Sequence, residues 1–155
     1  MDKINRIIAT FFYTGYLPIA PGTWASLFTT IILFFAFKTL TFSMYIFILV
    51  FIFIIGSVIS DYLSKKYNVE DPRWIVIDEV VGILVTFLPL YYHVVFNYKS
   101  LIAGFFLFRI FDVIKPFPVS WADKRIKNGF GIMFDDVLAG VYSAIILYLL
   151  RGYLV

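Results

Sequence analysis

The chain has no cysteine and a single histidine, His93, among its 155 residues. Those absences remove cysteine nucleophiles and the thiolate or paired-imidazole sites typical of zinc. Charge is scarce as well: 15% of residues are charged against 62% hydrophobic, with mean hydropathy +0.93. That is too little polar surface to wrap a water-soluble core of this length, so the bilayer is the expected solvent. No Ser/Gly-rich linker, low-complexity tract or internal repeat divides the chain, which predicts one integral membrane domain over 1–155. The formal charge of +3 does not point to nucleic acid, because the basic residues lie in short loops between apolar runs, where topology rules place them.

What is present is a series of apolar runs. Five candidate spans fall at 23–40, 42–60, 75–96, 100–115 and 132–150. At 1.5 Å per residue the fourth covers only about 24 Å, near the minimum for crossing. The preceding segment INRIIATFFYTGY is too short to cross and is cut off by Pro18 and Pro21-Gly22, so an interfacial or re-entrant helix is expected there. Lys3 and Arg6 ahead of an apolar run mimic a signal peptide, but Pro21 after Ala20 is a poor cleavage context and predicts retention. The predicted fold is all-α: a polytopic membrane helix bundle of about five transmembrane helices plus the short amino-terminal helix.

With the amino terminus placed in the cytoplasm, Lys3, Arg6, Lys65, Lys66, Arg73, Lys115, Lys124, Arg125 and Lys127 fall inside. Lys38, Lys99 and Arg151 fall outside, as the positive-inside rule requires. All ten acids belong to the inner end. Five of them interrupt apolar stretches: Asp78-Glu79 in IVIDEVVGILV, Asp112 in FFLFRIFDVI and Asp135-Asp136 in IMFDDVLAGVY. A carboxylate at membrane depth costs several kcal/mol unless paired, hydrated or metal-bound, so such acids read as a functional site. Helix direction levels them: Asp78-Glu79 in the first turn of an outward helix, Asp112 in the last turn of an inward one, Asp135-Asp136 in the first turn of the next. Four-residue stacks Asp78/Gly82/Thr86, Gly104/Phe108/Asp112 and Asp136/Gly140/Ala144 carry small residues that permit close packing and would gather the acids. Hard oxygen ligands of this kind suit Mg²⁺ or Mn²⁺ with a substrate phosphate. Arg109, Lys115, Lys124 and Arg125 stand nearby as phosphate-binding cations. The long connection KPFPVSWADKRIKNGFG hints at more than joining.

At these residues the chain resembles the phosphatidylglycerophosphatase A family of bacterial inner-membrane lipid phosphatases. The resemblance rests on PIAPGTWASL, DPRWIVIDEVVG and FRIFDVIKPFPVSWADKRIKNGFGIMFDDVLAGVYS, in family order from Gly15 to Ser143. It implies Mg²⁺-dependent hydrolysis of the terminal phosphate of phosphatidylglycerophosphate, giving phosphatidylglycerol and inorganic phosphate, in the bacterial cytoplasmic (inner) membrane. Asp78, Glu79, Asp112, Asp135 and Asp136 match as metal ligands or bases, and Lys115, Lys124 and Arg125 match its basic positions. Attack by a metal-bound water or by a carboxylate both remain open. Two positions depart from the family pattern: Asn128, where a second glycine is usual, and Trp74, often acidic there.

Blander roles are available for several residues. Asp135 and Asp136 could interact only with a helix dipole, Asp61 could pair with Lys65 one turn on, and Asp123 could be a surface charge. Thr23 could cap the first span, or its neighbouring amides could help bind phosphate. His93 reads as an interfacial packing residue. An ion or proton transporter would also use embedded carboxylates, but the outer two-thirds of these helices offer only isolated Thr, Ser and His along a path. A structural scaffold needs no acids. The lone histidine cannot serve the type 2 phosphatidic acid phosphatase mechanism, and the DxD and DGxxAR motifs of haloacid dehalogenase phosphatases and CDP-alcohol phosphotransferases are absent.

Overall fold

Each long helix has a start or stop written locally. Thr41 caps one by accepting from Met44 N at 3.3 Å, and Asn97 forms a reciprocal capping box with Ser100 at the start of another. Pro21 occupies the first turn of a third, where its missing N–H costs nothing. The computed structural model describes residues 2–154, and among them the regular elements are helical. They are α1 (Asp2–Ala9), α2 (Pro21–Ala36), α3 (Phe42–Tyr67), α4 (Ile77–Thr86), α5 (Tyr98–Ile114), α6 (Val119–Arg125) and α7 (Gly129–Leu149). Short 3₁₀ turns cover Thr14–Tyr16, Leu88–Tyr91 and Leu150–Tyr153.

α4 is the hub: it packs against α7 above all, and also against α2, α3 and α5. All its residues but Asp78 and Glu79 are buried. Its crossing with α7 depends on two glycines. A side chain at Gly82 would meet the Phe108 ring and the Asp136 carbonyl, and one at Gly140 would meet the Gly82 carbonyl. Backbone contact of this kind is what small residues permit between helices. Around it lies one hydrophobic core that includes Leu63, Ile83, Phe87, Phe108 and Met133. Buried Tyr45 donates its hydroxyl to the Leu84 carbonyl at 2.7 Å, so its polar end is satisfied.

The surface is inverted relative to a water-soluble protein. Phe47, Phe51, Ile54 and Val58 project from α3 and Ile102, Phe106, Ile110 and Val113 from α5, with Phe47 69% and Val113 72% exposed. Contiguous exposed apolar faces mark contact with something other than water. Among the described residues two helices are long and apolar enough to cross a membrane by length and composition, Phe42–Tyr67 and the helical run Gly129–Tyr153. The expected span 75–96 is not one helix. α4 ends at Thr86 and the chain turns through Leu88–Tyr91, because Pro89 has no N–H and its ring would strike the carbonyl four residues back.

Polar groups sort to the two ends. At one end Asp2 on α1 accepts from Lys66 and, at 2.9 Å, from Tyr62, which holds its carboxyl below the usual range. Arg6 pairs with Tyr67 and Lys127 with Glu70 at 3.4 Å at the same end. At the other, Lys38 borders a cleft with Asn97, and Arg151 stacks over Tyr148. The short amino-terminal helix expected from the sequence is present as α1, and Phe11, Phe12 and Tyr13 then turn the chain with positive φ of 44°, 56° and 71°.

Candidate active site

Glu79 in the first turn of α4, Asp112 in the last turn of α5 and Asp136 on α7 converge. One carboxylate oxygen from each lies within 4.8 Å of the others. Asp136 Oδ2 is buried with no hydrogen-bond partner among the described residues. A buried carboxylate oxygen without a donor is costly, and it is the signature of a group awaiting a cation or a proton.

Arg109, one turn before Asp112 on α5, supplies the one side-chain cation in direct contact with this group among the described residues. It pairs with Glu79 and, at 3.1 Å, with Asp112. From the other side α2 cradles Glu79. The buried Ser26 hydroxyl lies 3.0 Å from Glu79 Oε2 and 2.8 Å from the Gly22 carbonyl, and it accepts from Arg109 Nη1 at 3.3 Å. Gly22 faces the Glu79 carboxyl so closely that a methyl there would collide with it. Neither Gly22 nor Ser26 was a candidate from sequence. Their signal was a pair of small residues four apart in PGTWAS, which places both on one face of α2.

A second polar group adjoins the first. Lys115 Nζ sits 2.6 Å from Asp123 and 2.7 Å from Asp135. It ends α5 in the left-handed region at φ 46°, an uncommon conformation for a side chain-bearing residue. That backbone placement frees the ammonium to reach α6 and α7, and strain of this sort clusters at functional sites. Asp78 lies within electrostatic reach of Asp71, Glu79 and Asp135, and its Oδ1 accepts the Glu79 N–H at 3.0 Å. Glu70, Asp71, Asp123, Lys127 and Asp135 line a polar cleft of about 60 Å³ that opens beside it.

Of the five sequence-predicted acids, Glu79, Asp112 and Asp136 therefore share one group, Asp135 joins the Lys115 pair beside it, and Asp78 adjoins through the Glu79 N–H. The helix-dipole role for Asp135 and Asp136 does not survive. α7 begins at Gly129, with Asn128 capping Gly131 N at 3.0 Å, so the acids lie about two turns in and buried. Asp61 does pair with Lys65, at 2.6 Å, and also accepts from Gly129 N at 3.2 Å, tying α3 to α7. Asp123 is no isolated surface charge, given its pairing with Lys115. Thr23 is not the helix cap: Ala20 holds that position, and Thr23 sits half-buried inside the first turn without a side-chain hydrogen bond. Lys124 and Arg125 end α6 exposed, with no ion pair among the described residues. The connection between α5 and α7 is more than a tether, since α6 delivers Asp123 to Lys115.

The family model for phosphatidylglycerophosphatase A matches residues 7–151. The chain belongs to the phosphatidylglycerophosphatase A family. It is 33% identical over 146 residues to the phosphatidylglycerophosphatase A of Haemophilus influenzae, covering 94% of this chain and 88% of that protein. To the phosphatidylglycerophosphatase A of Escherichia coli it is 35% identical over 148 residues, covering 96% and 84%. A Bacteroides thetaiotaomicron protein, provisionally named a phosphatidylinositol-3-phosphatase, is 35% identical over 154 residues, covering 94% and 92%. No solved structure matches the chain. Membership of this family makes the chain an enzyme, a phosphatase. Its two departures from the family pattern have local explanations. Asn128 caps α7 with a side-chain acceptor that a glycine lacks, and Trp74 packs its ring against Tyr16 and Tyr67.

Proposed function

We propose that the protein hydrolyses the terminal phosphomonoester of phosphatidylglycerophosphate, releasing phosphatidylglycerol and inorganic phosphate, at the cytoplasmic face of the bacterial inner membrane. The observation that carries this reading is the trio Glu79, Asp112 and Asp136, with an unpartnered buried oxygen on Asp136 and two cations, Arg109 and Lys115, beside it. The names of the two phosphatidylglycerophosphatase A relatives supply the substrate.

The residues present fit Mg²⁺. All donors are hard carboxylate oxygens, Asp136 Oδ2 lacks any proton donor, and Arg109 alone cannot balance three carboxylates. Glu79, Asp112 and Asp136 would hold the ion, and when bound it would draw charge from the phosphoryl oxygens. Arg109 and Lys115 bind and orient the phosphate by charge-assisted hydrogen bonds. Asp78 stands outside the trio and has no cation paired to it among the described residues, whereas Asp135 pairs with Lys115, which it shares with Asp123. The absence of a paired cation favours Asp78 as the carboxylate that takes a proton from an attacking water. As the new phosphorus–oxygen bond forms and the bond to the glycerol oxygen breaks, the leaving oxygen, on the far side of phosphorus, takes a proton from solvent and the Asp78 carboxyl gives its own to solvent.

A multi-pass arrangement supports the interfacial site. The apolar faces of α3 and α5 suit lipid, and the carboxylates share one end of the bundle with Lys65, Lys66, Lys124 and Lys127. A transport path is less well supported: outward of the acids the buried hydroxyls of Thr86 and Ser143 are spent on the carbonyls of Gly82 and Ala139. The test is phosphate release from phosphatidylglycerophosphate by purified protein. Release is expected with Mg²⁺, with loss in EDTA and recovery on adding Mg²⁺ back. Full turnover in metal-free buffer would remove the metal role, and no turnover in any buffer would remove the substrate.

A further inference from the structure

We propose that the groove between α2 and α5 is the seat of one acyl chain of the lipid substrate. It is a cavity of about 340 Å³ lined only by apolar surface, with Leu27, Thr30 and Phe34 on one side and Leu101, Phe105 and Tyr98 on the other. Its floor is buried, Thr30 and Leu101 being 8% and 5% exposed. Thr30 presents its methyl, because its hydroxyl is spent on the Ser26 carbonyl at 2.9 Å.

The groove is continuous with the candidate active site on both walls. Ser26, which touches Glu79 and Arg109, is one turn below Thr30 on α2, and Arg109 is one turn below Phe105 on α5. The α5 wall of the groove runs from Phe106 to Tyr98, and from Arg109 back to Tyr98 is about 16 Å at 1.5 Å per residue, close to the ~15 Å depth of one hydrocarbon leaflet. An apolar trough of leaflet depth that opens at Arg109 and at the carboxylates that would hold Mg²⁺ suits a phosphate headgroup carrying a hydrocarbon tail. Its occupant gains little from the hydrophobic effect, since a chain in the bilayer is already out of water. What the groove supplies is position: close packing fixes the headgroup against Arg109 and the acids.

This deepens the phosphatase reading and rests on it, so the experiment separates the two. Ile102 lies on the groove rim, 55% exposed, so Ile102→Trp narrows the groove without enlarging the core. Leu101→Phe fills it from the floor. Each variant is assayed on long-chain phosphatidylglycerophosphate and on a water-soluble short-chain analogue with the same headgroup. The expected result is a fall of about tenfold in kcat/KM for the long-chain lipid, with the short-chain analogue unchanged within about twofold. Equal losses on both substrates, or no loss on either, would overturn the groove; wild type inactive on both would overturn the phosphatase reading instead. A second measurement does not depend on activity. Protein in vesicles containing phosphatidylglycerol with a photoactivatable acyl chain should cross-link at Leu27, Ile31 and Phe105 in preference to the lipid-facing Phe47 and Phe51 of α3. Labelling spread evenly over α3 and the groove would refute the assignment.

Discussion

Gly22→Ala separates function from folding more sharply than any change to an acid. A Cβ at position 22 would stand 2.8 Å from Glu79 Cδ, where ordinary contact begins near 3.4 Å, and its clash with Oε1 is more severe. Gly22 has an ordinary right-handed backbone within α2, so alanine brings no backbone strain and gains up to about 1 kcal/mol of helix propensity. The opposing cost falls on the tip of Glu79, which is held by Arg109 and Ser26 and must move by about 1 Å to relieve the overlap. Misplacing a reacting constellation by that distance costs on the order of a hundredfold in rate, or about 2.7 kcal/mol of transition-state stabilisation. The expected outcome is kcat down about a hundredfold with the detergent-solubilised melting temperature unchanged or slightly raised. Phosphate release and thermal unfolding, measured on one preparation, check both halves. If Gly22→Ala keeps more than half of the wild-type rate while Glu79→Gln is inactive, the cradle on α2 does not position Glu79 and the assignment of α2 to the site is wrong.

Isosteric neutralisation by Asp78→Asn, Glu79→Gln, Asp112→Asn or Asp136→Asn should each lower kcat a hundredfold or more, on the order of 3 kcal/mol, in folded protein. His93→Ala, at the opposite end beside Tyr148, should stay near wild type; survival of the acid variants would make the cluster structural. Mg²⁺ at a hundredfold excess over its Kd should stabilise the wild type by about 2.7 kcal/mol and leave Asp136→Asn unaffected, read as a shift in melting temperature. A shift that persists in the variant would place the ion elsewhere. Because the chain has no cysteine, single substitutions report sidedness cleanly. Arg73→Cys should label with a membrane-impermeant maleimide only after permeabilisation and Lys38→Cys in intact cells, and the reverse pattern would invert the topology.

The linear sequence determined what physics attaches to residue type and period. Apolar runs without enough charge to face water made the helices, and Thr41, Asn97 and Pro21 set where three of them start. The confinement of all ten acids to the inner end and the four-residue stacks through Gly82 and Gly140 were enough to predict that the embedded carboxylates would meet, since a buried charge must find company. Tertiary structure decided which acids share a site, because oxygen-to-oxygen distances depend on helix rotation and crossing, which no periodicity fixes. Glu79, Asp112 and Asp136 became one group, with Asp135 drawn to Lys115 and Asp123 beside it, through packing in which Gly82 meets the backbone of α7. Packing likewise buried Asp135 and Asp136 two turns inside α7 and brought Ser26 of α2 to Arg109 of α5 across 83 residues of chain. Such long-range contacts follow from shape complementarity between faces, and a sequence lists the faces without saying which two will touch.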